Sequence, residues 1–350
     1  MIKKINPRFN IHRYVLIYLV LKMLTTTAML TIGMLYFDKI VNEFPDFNYY
    51  VTNPTSFGPN LGYRWIIYLL GIENINEITP IFLATSLNLI IDILWICLVL
   101  RHLENKALLT FVFLLALQPY VAMYTLKFSS IIFAKMGVLY FFWSMERNRT
   151  DVASLSMKNE AFFWIAASLI RNSNIIIFIF ILIWRLRKNF SLMLLSVAIL
   201  GCIFYFITRG YLEGINPSNW PWNYTYVQKL FTNDNAILTV ILLGTSKLFL
   251  LFGAREKVFT EGVEPFINSG VPTIELLVYF VLALMQIVGI IYSVKFFYKK
   301  HSLFSLIVYV PLLLSLITVA HARYLIPYVP VCMFGLALII NKKEKVYQRE

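Results

Sequence analysis

Long apolar runs separated by short basic blocks constrain this chain more than any other feature. Residues 14–37, 78–100, 107–126, 130–145, 161–184, 190–208, 236–252, 273–297, 303–320 and 325–340 are apolar almost throughout. A helix of about 20 such residues crosses the roughly 30 Å hydrocarbon core of a bilayer. Lys and Arg gather between the runs: Lys3, Lys4, Arg8 and Arg13; Arg101 and Lys106; Arg147 and Arg149; Arg185, Arg187 and Lys188; Lys295, Lys299 and Lys300; Lys342, Lys343 and Lys345. Basic clusters at the ends of apolar runs mark cytoplasmic loops. Composition agrees. Of 350 residues, 59% are hydrophobic and 14% charged, against about 45–50% and 25% in a soluble domain. Mean hydropathy is +0.71. An ordinary cytosolic enzyme, a disordered chain and a disulfide scaffold are excluded.

The net charge is +13. In a soluble protein that balance points to nucleic acid. Here the positive charges sit at the ends of apolar runs, so membrane lipids rather than DNA or RNA are the expected partners. Cys97, Cys202 and Cys332 lie inside or beside apolar runs and read as small apolar side chains in helices. No Cys/His spacing of a zinc site occurs, and no metal is expected. The stretch 14–37 is too long for the apolar core of a signal peptide and reads as a first permanent span.

Orientation follows from the basic loops. With the N-terminus in the cytoplasm, runs 14–37, 78–100, 107–126 and 130–145 cross in alternation, with a tight turn near Lys127. Run 161–184 has basic blocks on both flanks and the polar break Arg171, Asn172, Ser173, Asn174 in its middle. It reads as a re-entrant hairpin of two short helices, whose turn must face a cavity or pack in protein. Run 236–252 is short and carries Lys247, which suits an interfacial or re-entrant helix. The expectation is an all-α polytopic integral membrane protein with about eight crossings, a re-entrant hairpin and an interfacial helix. It forms one membrane domain, 1–350, with outer loops 38–77 and 209–272 and short basic cytoplasmic termini.

Candidate chemistry lies in the outer loops. Asp46 follows the first run, hemmed by Phe44, Phe47, Tyr49 and Tyr50. A carboxylate partly desolvated there suits a general base; a solvated acid in an aromatic interface belt is the alternative. Arg64 follows the turn formers Gly58, Pro59 and Gly62. It either binds a phosphate or snorkels to the interface. Arg323 sits between the last two runs, beside His321 and ahead of Pro327 and Pro330. A guanidinium there offers a planar fork to a phosphate, or anchors in headgroups. Trp220 and Trp222, with neighbouring Tyr and Asn, suit stacking on sugar faces as well as an interface belt. Lys22, Asp92, Lys135 and Arg171 lie deep in apolar runs and must face the bundle interior; Asp92 is placed to pair with one of the lysines. No nucleotide loop, dinucleotide fingerprint or hydrolase elbow is present.

The order of these elements resembles the GT-C class of polytopic glycosyltransferases, which use lipid-phosphate sugars. The resemblance rests on Asp46 with Tyr49 and Tyr50 after the first span, and on a Gly/Pro turn and short helix from Gly58 to Gly71. It rests further on a half-length hairpin with Arg171 at its turn, and on Arg323, Tyr324 and Pro327 near the end. It implies Asp46 as base on the acceptor hydroxyl and Arg323 as donor-phosphate ligand, with Arg64 and Lys127 as further phosphate ligands. Glu43, Tyr49, Tyr50, Trp220, Trp222 and His321 are the implied acceptor or sugar contacts. Glu43 stands in for the second acid many members carry, where this chain has Phe47, and the soluble outer domain that ends many members is absent from the pattern. The implied function is transfer of a sugar from a polyprenyl-phosphate donor to a polysaccharide or glycolipid. It would take place on the outer face of a bacterial inner membrane, with no cofactor beyond the donor. A repeat-unit polymerase for O-antigen or capsule, and a lipid-linked-sugar transporter or flippase, remain as alternatives.

Overall fold

A computed structural model describes residues 11–37, 50–52, 60–73, 77–148, 157–171, 174–186, 189–214, 248, 251–252, 273–298, 308–309 and 325–341. These residues are overwhelmingly helical, and none of them forms a strand. The helices are α1 (Ile11–Phe37), α2 (Leu61–Leu69), α3 (Ile78–Val99), α4 (Asn105–Leu117), α5 (Pro119–Thr125) and α6 (Ser130–Asn148). There follow α7 (Met157–Ile170), α8 (Asn174–Leu186), α9 (Phe190–Gly214), α10 (Thr273–Tyr298), a 3-10 turn (Ile326–Tyr328) and α11 (Val329–Ile340). Residues 78–99 and 280–297 are long and apolar enough to cross a membrane.

Around an apolar core, the structure also exposes many large apolar side chains and buries several polar and charged ones. Leu16, Val20, Met23 and Leu24 of α1, Phe82 and Ile90 of α3, Leu194 and Leu195 of α9, and Leu277 and Ile291 of α10 are exposed. Lys22, Asn88, Asp92, Lys135 and Gln286 are buried. An exposed apolar area of that extent is normally covered by another molecule or by lipid.

One run differs from its expected form. Residues 107–126 are not a single helix: α4 stops at Leu117 and α5 restarts at Pro119. Proline has no N–H to continue the ladder and pushes the preceding residue out of helical geometry. Gln118 is accordingly extended, at φ −66° and ψ 115°, and its side chain caps α5 by accepting from the Val121 N–H at 2.8 Å. Thr25 of α1 covers a carbonyl near the break, its hydroxyl donating to the Ala116 oxygen at 3.1 Å.

The 161–184 run folds as the expected hairpin. Helices α7 and α8 meet at Arg171, and Trp164 stacks on Phe178, its counterpart across the turn, at 6.2 Å. The turn packs in protein. The Asn174 amide donates to the Ala167 carbonyl (3.0 Å) and the Phe133 carbonyl (3.3 Å). A Cβ at Gly137 of α6 would fall 2.7 Å from the Asn174 side-chain oxygen, so only glycine lets α6 approach this turn.

Helices α10 and α11 pack closely through Gly289 and Gly335, where a Cβ on either would collide with the other helix's backbone. Ser293, one turn past Gly289, donates to the Val331 carbonyl at 2.5 Å. Small residues spaced by a turn let helix backbones touch, as in membrane helix pairs. Helix α11 also packs on α4, and Asn341 donates to Thr110 at 3.1 Å. Of run 236–252, only Leu248, Leu251 and Phe252 are described. The Phe252 carbonyl accepts from Gln286 at 2.9 Å, in the middle of α10, so this end of the run lies deep between helices rather than along a surface. The rest of that run, and run 303–320 apart from residues 308–309, lie outside the described residues.

The centre of the bundle is polar. Asp92 of α3 pairs with Lys135 of α6. Its other oxygen accepts from the Tyr18 hydroxyl of α1 at 2.5 Å. Asn88, one turn before Asp92, accepts from Lys135 at 3.4 Å and donates to the Ala84 carbonyl at 2.9 Å. Lys22 lies in the same centre with 1% of its surface exposed. Deep charges thus face inward, and Lys135 is the lysine that pairs.

Candidate functional site

The bundle has two chemically distinct ends. At one end Tyr14 of α1 donates to Asn105 of α4 at 3.0 Å, and His102 lies 5.8 Å from the Phe297 ring of α10. Arg13, Arg101, Lys106 and Lys295 belong to this end by sequence. The candidate site lies at the other end, where α2, the loop 126–129 and the α7–α8 turn converge.

Helix α2 is seated by two small features. Asn60, its N-cap, is left-handed at φ 55° and ψ 38°. Asn is one of the few residues other than glycine that take this conformation readily. Its side-chain amide donates to the Tyr50 hydroxyl at 3.0 Å. Gly62 then lets α2 rest on the end of α7: a Cβ there would lie 3.1 Å from Ile170. Gly62 is thus a contact point inside the helix rather than the turn former that its nearness to Gly58 and Pro59 suggests.

This seating carries Tyr63 inward. Its hydroxyl donates to the Phe128 carbonyl at 2.8 Å, and its ring packs edge-on against Tyr50 at 5.5 Å. Burial pushes the Tyr63 phenol well above its usual range, with Tyr50 adding to the rise and Arg171 opposing it. The phenol therefore stays a neutral donor. Next to it on α2, Arg64 is 0% exposed. Its guanidinium is thus enclosed by protein. Lys127, in the loop facing Tyr63, is 7% exposed and sits 5.4 Å from the Tyr124 ring centroid. Burial lowers its pKa from the usual lysine value. At the hairpin turn Arg171 donates to the Ser130 hydroxyl at 2.8 Å.

The site is recessed. Lys135 is level with Asn88 and Asp92, and Phe142 lies 5.0 Å from Trp95, so α3 and α6 run side by side in one direction. Counting back at 1.5 Å per residue, α6 starts roughly 10 Å below the start of α3. Lys127, Ser130 and Arg171 therefore lie below the rim that α3 forms. The 3-10 turn at Ile326–Tyr328 packs on α6.

Of the residues nominated from sequence, Tyr50, Arg64 and Lys127 are thus gathered at one end. Glu43, Asp46, Tyr49, Trp220, Trp222, His321 and Arg323 lie outside the described residues. Sequence reasoning missed Asn60 and Ser130, and noted Arg171 as the hairpin turn and a deep charge but not as a site residue. Asn60 precedes a helix in a Gly/Pro-rich stretch, which is a usable clue to a left-handed cap. Ser130 had no distinguishing pattern. Among the described residues no group of three or more His, Cys, Asp or Glu is placed to hold a metal ion. Chemically, the end gathers three cations in a partly dry setting beside the Ser130 hydroxyl, an arrangement suited to an oxyanion; the single Tyr63 O–H is already donated to the Phe128 carbonyl. No protein-family model, no curated protein and no solved structure matches the chain.

Proposed function

We propose that this protein is a polytopic membrane glycosyltransferase similar to the GT-C class. In this reading it moves a sugar from a polyprenyl-phosphate donor to a polysaccharide or glycolipid acceptor on the outer face of a bacterial inner membrane. The observation that carries the reading is the cationic end of the bundle, where Lys127 and Arg171 lie below the rim that α3 forms and Arg64 is buried on α2. Apolar exterior and charged interior support a chain dissolved in lipid with about eight crossings, a re-entrant hairpin and cytoplasmic termini. The end bearing Arg13, Arg101, Lys106 and Lys295 is cytoplasmic by the positive-inside rule, so the recessed end faces out. A cation set below the rim meets a lipid phosphate at headgroup depth while the isoprenoid chain stays in hydrocarbon.

In the proposed chemistry Asp46 takes the proton of an acceptor hydroxyl, and that oxygen attacks the anomeric carbon. The bond between this carbon and the phosphate oxygen breaks as positive charge builds on the ring. Arg64, Lys127 and Arg323 neutralise the departing lipid phosphate, which is where placed cations act most strongly. The products are the glycosylated acceptor and polyprenyl phosphate.

Donor turnover in membranes tests the phosphate role. Lys127→Met should lower transfer from a radiolabelled polyprenyl-phosphate sugar by about 100-fold at unchanged protein level. Unaltered turnover would remove Lys127 from the site.

A further inference from the structure

Among the described residues, the polar centre of the bundle contains one carboxylate and two lysines, and the proposed transfer chemistry uses none of them. Asp92 is 0% exposed, and Lys22 and Lys135 are 1% exposed each. Among the described residues, Lys135 alone is ion-paired with Asp92. The Lys22 ammonium nitrogen has no hydrogen-bond partner among the described residues. Yet Lys22 lies within electrostatic range of both Asp92 and Lys135. Its placement follows from helix geometry. Tyr18, one turn earlier on the same face of α1, touches Asp92 directly. Helical side chains lean toward the N-terminus, so the Lys22 stem points back along that face toward Asp92.

We propose that Asp92 is a switch carboxylate with two interchangeable partners, Lys135 on α6 and Lys22 on α1. The structure holds the Lys135 state. In the other state Asp92 turns to Lys22, and Lys135 is released together with its contact to Asn88. Both states leave one buried lysine without a carboxylate, so their charge balance is the same. They differ in the secondary hydrogen bonds open to each lysine. Lys135 has Asn88 as a second acceptor at 3.4 Å, which is a weak bond; Lys22 has the Tyr18 hydroxyl one turn away. Two arrangements separated by so little form a bistable element. The exchange moves a tie from the α3–α6 interface to the α1–α3 interface. Helix α6 begins at Ser130, which holds Arg171, so the Lys135 state keeps the recessed end assembled. This inference stands apart from the transferase reading, because it concerns a centre of packing rather than the reaction.

Thermal unfolding of the purified full-length chain in nanodiscs, for Lys22→Met, Lys135→Met and the double variant, tests it. A lysine-to-methionine change keeps the stem and removes the charge. If the partners interchange, each single variant leaves Asp92 with one lysine and melts within about 4 °C of the wild type. The double variant leaves Asp92 buried alone and falls by more than about 10 °C, or fails to fold. Collapse of Lys135→Met alone would overturn the proposal, because Lys22 then does not take over. A double variant that melts like the wild type would overturn it as well, because Asp92 then requires neither lysine.

Discussion

Asn60 concentrates two constraints in one residue: a left-handed backbone and a side-chain bond to Tyr50. Alanine tolerates that backbone poorly, by about 1–2 kcal/mol, whereas glycine takes it freely. Asn60→Ala should therefore lower stability by about 2 kcal/mol, counting the lost bond, and Asn60→Gly by about 1 kcal/mol. Thermal melting of the two variants checks the order; equal losses would mean the backbone angle is unimportant. Tyr63→Phe isolates the next step inward. It leaves the Phe128 carbonyl without its donor in a buried place and should lower stability by about 1–3 kcal/mol. At this scale the sequence was only partly informative. Deep charges are so expensive in lipid that Lys22, Asp92, Lys135 and Arg171 were bound to face inward. Which lysine Asp92 takes depends on the relative phase of α1, α3 and α6, and no local pattern encodes that phase.

At the scale of elements, apolar length was legible and its interruptions were less so. Residues 78–100 and 273–297 became α3 and α10 nearly as read, because a continuous apolar helix has no competing structure in lipid. The 161–184 hairpin was legible from its polar middle and its two basic flanks. The break at Gln118 was not, because Pro119 lies inside an apolar run without a polar neighbour cluster and prolines also occur within membrane helices. The α10–α11 pair depends on Gly289 and Gly335, which carry no hydropathy information at all. Gly335→Ala forces a methyl into the α10 backbone, so the helices must separate. It should cost about 1–3 kcal/mol or more in a melting experiment. Gly201→Ala on α9 meets open space and should be nearly neutral, which makes it the matched control.

For the molecule as a whole, the proposed function takes an apolar exterior, a charged centre and one recessed cationic end as parts of a lipid-phosphate enzyme facing outward. Its topology makes a prediction of its own. Cysteines placed at Gly71 and at Arg101 should react with an impermeant thiol reagent from opposite sides of the membrane, Gly71 from outside. Labelling of both from one side would contradict the orientation. The central claim, sugar transfer with Asp46 as base, is tested most directly by the structure of the host's surface glycan. The gene would be deleted, then restored as wild type or as Asp46→Asn. The account predicts loss of one sugar on deletion, rescue by the wild type and no rescue by Asp46→Asn at equal protein level. Complete repeat units that no longer chain together would point instead to a polymerase, and a glycan unchanged by deletion would contradict the transferase reading outright.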